Sequence, residues 1–174
     1  MNPPTQYLLG VEHPIFPATA VYLPDGEYDR ATSAFVRVCA DVVLYVPAEK
    51  SIYLAKRIIP PECWWMLGGK MNPGESEIDA AMRHVRNDTG LAIDAKKFQL
   101  LRLNRYLYVG SKGASQDSFA FTFAVACELG EIEKVQLRSD EYDSHTGIQQ
   151  FRKPELGTYG VPKPIMDIYN QIFP

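Results

Sequence analysis

The sequence predicts a mixed α/β sandwich, and two observations carry that expectation. Segments rich in β-branched and aromatic residues lie on both sides of one central stretch with helical spacing. A second stretch of helical spacing closes the chain, so a sheet flanked by helices is the arrangement that buries the apolar faces.

Taken in order, residues 1–33 are proline-rich with little periodicity and read as an irregular arm holding one short strand near Ala18–Leu23. "AFVRVCADVVLYV" (Ala34–Val46) reads as a strand, and the turn "PAEK" leads to a second, "SIYLAKR" (Ser51–Arg57). "IIPPE" breaks the pattern ahead of "CWWML", and Gly68–Gly69 marks a turn. A helix is expected over Ser76–Thr89. "KFQLLRLNRYLYV" and "SFAFTFAVACEL" read as two further strands joined by the polar loop "GSKGASQD" (Gly110–Asp117). "PKPIMDIYNQIF" opens on Pro162 and sets Ile165, Ile168, Tyr169 and Ile172 at helical spacing, which predicts a terminal helix. No repeat, low-complexity tract or composition break divides the chain, so residues 1–174 are expected to form one domain.

Composition excludes several classes. The 174 residues can bury a substantial core, and 46% hydrophobic with 22% charged residues is ordinary for a globular protein. A net charge of −3 with no Lys/Arg stripe argues against nucleic acid as a partner. No apolar run approaches the roughly 20 residues of a membrane span, and Met1–Gly10 has no basic segment followed by an apolar one. The default expectation is a cytoplasmic protein. Cys39, Cys63 and Cys127 are odd in number, widely spaced and without a CxxC pair, so neither zinc nor a disulfide framework is expected.

The central stretch, "GGKMNPGESEIDAAMRHVRNDTGL" (Gly68–Leu91), carries the chemistry. Ser76 followed by Asp79 has the spacing of a capping box, and Gly90 is placed to end the helix in a left-handed conformation. Ile78, Ala81, Met82 and Val85 recur as an apolar stripe. At about 100° per residue, Glu77, His84 and Asp88 share the flank of that stripe, with Asn87 farther round. With Glu75 in the preceding loop, such a set could hold a hard divalent ion, while a solvated polar face is the plain alternative.

The same stretch resembles the Nudix box, G-x5-E-x7-R-E-U-x-E-E-x-G-U, in which U is aliphatic. Gly69, Glu75, Arg83, Val85, Gly90 and Leu91 match at the required spacing. The flanks are similar too: "IYLAKR" resembles the strand before the box, and "WWMLGG" resembles W-x-L-P-G-G. The resemblance covers residues 34–156 and implies a Nudix-like α/β/α sandwich with a mixed β-sheet. It implies structural roles for Gly69, Glu75, Arg83 and Gly90, with Glu75 and Arg83 forming a salt bridge between loop and helix.

The departures matter equally. Where the family has R-E-U-x-E-E, this chain has Arg83-His84-Val85-Arg86-Asn87-Asp88, so all three glutamates that hold magnesium are changed, and Leu67 replaces proline. Only Asp88 keeps a carboxylate. Imidazole suits softer ions than magnesium, so metal-assisted attack of water on phosphorus should be impaired.

GDP-mannose mannosyl hydrolases are the branch this chain resembles. They lack most box glutamates, keep a carboxylate at the position of Asp88, and attack the sugar carbon, so that one magnesium on the diphosphate leaving group suffices. The resemblance implies Mg²⁺ (or Mn²⁺) held by Asp88, His84 and Glu141. It places Arg57 and Asp41 on substrate, and Trp65 could stack on a base. Asp88, Glu141 and His145 are the catalytic candidates, although the local match around His145 is poor and a solvent histidine is its plain alternative. The implied ligand is a small nucleoside-diphosphate derivative, with neither nucleic acid nor membrane as partner and a homodimer left open. A Nudix-fold protein that binds such a ligand without turning it over is the competing expectation.

Overall fold

β1 (Arg37–Val46) is the axis of the molecule, and its six consecutive buried residues, Cys39 through Leu44, mark a strand covered on both faces. The structure, a computed structural model, describes residues 23–24, 26–109 and 115–174. β1 runs parallel to β6 (Ser115–Ala126) from Arg37↔Ser118 to Tyr45↔Ala126. On its other edge it pairs antiparallel with β2 (Ser51–Lys56) near its end and with β4 (Leu67–Lys70) nearer its start. β2 also takes β3 (Trp64–Trp65) and β7 (Ile148–Phe151) as antiparallel neighbours, and β5 (Phe98–Val109) pairs antiparallel with β6. One parallel pair among antiparallel ones makes the seven-stranded sheet mixed, as the sequence predicts.

Alternation along the strands sorts the core into two layers. Ala40, Val42 and Leu44 join Phe123 and Val125 beneath Ala80, Ala81 and Val85 of α2 (Glu77–Thr89). On the opposite face, Val43, Ile52, Leu54 and Ala124 pack with Ile165, Ile168 and Tyr169 of α5 (Lys163–Ile172). Each fully buried Val, Leu or Ile here contributes about 1.5–3 kcal/mol. The central and terminal helices therefore cover the two faces expected of them. Between them in the chain, α3 (Leu129–Ile132) and α4 (Lys153–Thr158) are short connecting turns of helix.

Four details differ from the sequence reading. Within the stretch expected to be an irregular arm, Glu27–Ala34 forms a helix, α1, whose first turn carries Glu27 and Asp29 where a helix dipole favours acids. Ala34 belongs to that helix rather than to β1. The expected strand near Ala18–Leu23 lies, but for Leu23, outside the described residues. Ser115–Asp117, assigned to the polar loop, extends β6, and the remainder of that loop lies outside the described residues.

The fourth difference is the orientation of α2. Ala80, Ala81, Val85, Asp88 and Thr89 are buried, whereas Ile78 and Met82 are half-buried. The pair Ala80–Ala81 presents so little bulk that the helix settles with its small residues against the sheet, which turns Asp88 inward. Among the described residues, no helix is long and apolar enough to cross a membrane.

Candidate functional site

The site begins where β4 meets β1. Gly68 has φ +131°, and a Cβ there would lie 2.3 Å from the Ala40 carbonyl oxygen and 2.8 Å from Asp41 Cα. Only glycine fits so close to the neighbouring strand. Its backbone N–H donates to Asp88 Oδ2 at 3.2 Å, which ties the strand to the last turn of α2.

The loop after β4 is fixed by Glu75. Its carboxylate accepts from the Asn72 N–H at 2.8 Å and from Arg83 Nε and Nη2 at 2.6 and 2.7 Å. Arg83 Nη2 also donates to the Lys70 carbonyl at 3.1 Å. Burial opposes the Glu75 charge, but these donors outweigh it and hold the carboxyl below its usual range. Ser76 caps α2 by accepting from the Asp79 N–H, and Gly90 closes it at φ +76°. Glu75 and Arg83 form an ion pair between loop and helix, and Gly90 takes the left-handed C-cap conformation. Gly69 matters for space, since a Cβ there would lie 2.9 Å from the His84 ring.

Asp88 is the buried pole of the site, with only 1% of its side chain exposed. Besides Gly68 N–H, its Oδ2 accepts from the Tyr142 hydroxyl at 3.2 Å, and Oδ1 lies 3.6 Å from Arg138 Nη1. Burial raises the Asp88 carboxyl above its usual range despite these three partners. The same Arg138 Nη1 lies 3.7 Å from Glu141 Oε1, and Arg138 Nε donates to Asp140 Oδ1 at 2.6 Å. Its Nη2 bonds the other Asp140 oxygen. One guanidinium therefore serves three carboxylates.

The remaining box positions do not converge on that pole. His84 Nε2 lies 3.0 Å from the Lys70 carbonyl; because a carbonyl only accepts, this nitrogen carries the proton. Burial lowers the His84 pKa, which favours the neutral ring. Asn87 is exposed beside Arg83 and Arg86, facing away from Asp88.

The donor set does not fit a resident magnesium ion. Among the described residues, no group of three His, Cys, Asp or Glu side chains is placed to hold a metal. Magnesium needs hard oxygen ligands in near-octahedral array. Here the carboxylates nearest that arrangement, Asp88 and Glu141, already face Arg138. The expectation that Asp88, His84 and Glu141 form the metal site is therefore not matched among the described residues: the His84 ring is not grouped with the two acids, and a guanidinium stands between them.

Of the expected substrate residues, Asp41 and Trp65 lie toward the opposite face of the sheet, whereas Arg57 adjoins Tyr142. Asp41 is buried between Gly68 and Thr122 of the adjoining strands, and burial pushes its carboxyl up to about 7 against the pull of Arg57 and Arg37. Arg57 donates Nη2 to the Pro60 carbonyl at 3.1 Å, and its backbone forms an isolated bridge with Tyr142. Trp65 packs edge-on against Tyr106, with ring centroids 5.1 Å apart, which is a core contact first. Among the described residues the buried Tyr106 hydroxyl has no partner of hydrogen-bonding geometry, and Tyr108 and Gln116 accept from Arg37 Nη2. His145 is exposed; its backbone N–H donates to Asp143, and nothing brings its ring to Asp88.

Sequence reasoning missed Arg138 and Tyr142, the two side chains that complete the Asp88 pole. Both sit in an irregular segment after α3, where no periodicity signals which way a side chain points. The clue that existed was their adjacency to Glu141.

Comparison with known proteins was made against this geometry. The NUDIX domain family profile matches residues 36–158. Among solved structures, a MutT NUDIX hydrolase from Burkholderia pseudomallei aligns with TM-score 0.60 at 20% identity, covering 79% of this chain and 98% of its own. A C. elegans Ap4A hydrolase binary complex aligns with TM-score 0.56 at 18% identity, covering 79% and 95%. The NUDIX domain of Shewanella oneidensis NrtR complexed with ADP ribose aligns with TM-score 0.57 at 14% identity, covering 86% and 97%. At these identities the likeness establishes the fold. No curated protein matches the chain.

Proposed function

The chain belongs to the NUDIX domain family, and from that premise we propose that it is a hydrolase of a nucleoside-diphosphate-linked compound, with a nucleotide sugar such as GDP-mannose as the substrate class. The carrying observation is that Asp88, the carboxylate kept among the three altered positions, is delivered buried and oriented to a pole shared with Tyr142, Arg138 and Glu141. A loop and helix under no demand but packing would not need a buried acid with three polar partners. The fold neighbours described as an Ap4A hydrolase and as complexed with ADP ribose support the ligand class, not the individual ligand.

Divalent metal would supply leaving-group charge stabilisation in such chemistry, but these residues do not fit it as a resident ion. The chain's own cations are the alternative. Arg57, whose backbone bridges to Tyr142, is the candidate, because guanidinium groups recognise phosphate oxygens well. Attack at the sugar carbon leaves only the departing diphosphate to be balanced. Asp41, held near pH 7, is suited to exchange a proton at neutral pH.

A second reading, binding without turnover, is favoured by one observation: Arg138 sits on the carboxylates that would otherwise be free for chemistry. The experiment that separates the two offers the full chain GDP-mannose, ADP-ribose and a dinucleoside polyphosphate in ¹⁸O-labelled water, with EDTA and with Mg²⁺. Label in the released sugar marks attack at carbon; label in phosphate marks attack at phosphorus. Binding in calorimetry with no product from any compound would end the hydrolase reading in favour of the second.

A further inference from the structure

We propose that Arg138 is the resident cation of this site: its guanidinium stands between Asp88 and Glu141 where a divalent ion would stand, and it keeps such an ion out. Only the location rests on the hydrolase reading above; the charge exchange itself does not depend on any substrate.

The argument starts from what a buried carboxylate requires. Asp88 is almost wholly out of solvent, and an uncompensated charge there is too costly to persist. In a metal-dependent site the compensation comes from the ion. Here it comes from two hydrogen-bond donors, the Gly68 N–H and the Tyr142 hydroxyl, and from the Arg138 guanidinium at ion-pair distance. Oδ2 is taken by the first two, leaving Oδ1 as the atom with capacity for a cation, and Arg138 Nη1 faces it at 3.6 Å. That same nitrogen is 3.7 Å from Glu141 Oε1. One positive nitrogen thus sits near equal distances from two acids that approach from different segments, α2 and the loop after α3.

The guanidinium is also held on its other side. Asp140 holds its other edge through Nε and Nη2, a fork-to-fork pairing that fixes the plane of the group. Arginine cannot give up its proton in a protein, so no accessible pH empties the position. The box substitutions agree with this exchange. A site that relies on an internal cation has no use for two further glutamates, and the chain carries an imidazole and an amide where they would be. His84 instead braces the loop carbonyl of Lys70.

The test uses Mn²⁺ alone, followed by electron paramagnetic resonance and by thermal shift, with no nucleotide present. The wild-type chain should show no Asp88-dependent Mn²⁺ site and no rise in melting temperature on adding the ion. Arg138→Gln vacates the position, so it should bind Mn²⁺ at least tenfold more tightly than wild type and recover melting temperature as Mn²⁺ is added. Adding Asp88→Asn to Arg138→Gln should abolish both gains. The inference is overturned if wild type binds Mn²⁺ at a site that Asp88→Asn removes, a measurement that stands even where Arg138→Gln fails to fold. It is equally overturned if folded Arg138→Gln gains no Mn²⁺ affinity. Because no substrate enters, a failed nucleotide screen leaves this result intact, and a failed Mn²⁺ test leaves the substrate reading intact.

Discussion

Gly68 and Asp88 are joined by a single hydrogen bond, 3.2 Å from the backbone N–H of one to Oδ2 of the other, across a gap no side chain could enter. The bond fixes the direction of the Asp88 carboxylate. Gly68→Ala would drive a Cβ into the Ala40 carbonyl and demand a positive φ that alanine resists. It should cost about 2–4 kcal/mol in urea denaturation. Gly69→Ala meets only the edge of a side-chain ring and should cost clearly less. Equal losses for the two would refute the assignment of backbone contact at Gly68.

Glu75 ties loop to helix whether or not the protein turns over a substrate. Glu75→Gln should destabilise by about 1–2 kcal/mol at pH 7, since hydrogen bonds to charged groups are worth that much when part-exposed. Its folded pKa lies below the unfolded one, so the stabilisation is present above the ordinary carboxylate range and is lost as pH falls through the folded value. The gap between wild type and variant, measured by thermal melts from pH 7 down to pH 3, should therefore close on the acid side. A gap independent of pH would point to packing instead.

Asp41 behaves in the opposite sense. Burial raises its folded pKa from 3.8 to about 7, so the folded chain retains a proton that the unfolded chain has released. Stability should then fall as pH rises from about 4 to about 7 and level off above, with a total on the order of 2–4 kcal/mol. Asp41→Asn removes the ionisation and should be more stable than wild type at pH 8. Denaturant midpoints across this range check both statements; a variant that tracks wild type at every pH would contradict them.

Tyr142 is fully buried, and its hydroxyl has Asp88 as its hydrogen-bond acceptor. Tyr142→Phe should lower stability by about 1 kcal/mol, the net value of one such bond. Asp88→Ala should cost more, about 2–4 kcal/mol, because it strands the Tyr142 hydroxyl and the Gly68 N–H at once and removes the partner of Arg138. Combining the two should cost less than their sum, a coupling that a double-mutant cycle reads directly.

Much of this architecture was legible in the sequence because it is written in periodic signals. The β-branched and aromatic runs of β1, β2, β5 and β6, the cap at Ser76 and the stop at Gly90 are local signals, and the Glu75–Arg83 pairing followed from the resemblance to the Nudix box. The orientation of α2 was less legible: Ile78 and Met82 are larger than Ala80, so hydrophobicity pointed the stripe toward bulk, whereas packing favoured the small pair. The partners of Asp88 were not legible. Arg138 and Tyr142 lie in irregular chain, and their approach to α2 is set by backbone bonds such as Arg138 N–H to the Asp88 carbonyl, which no spacing announces. His145, attractive by residue type, sits in the same region but faces solvent.

The parallel pairing of β1 with β6 also fixes an order in time. Val42 meets Phe123 only after the box loop, α2 and β5 have left the ribosome, and until then β1 has β2 and β4 along one edge while its other edge waits for β6. Early products of synthesis can close the β1–β2 hairpin but not bury β1 on both sides. A nascent chain halted before β6 should be the form most readily captured by chaperones, and release of that hold should coincide with the emergence of Val125.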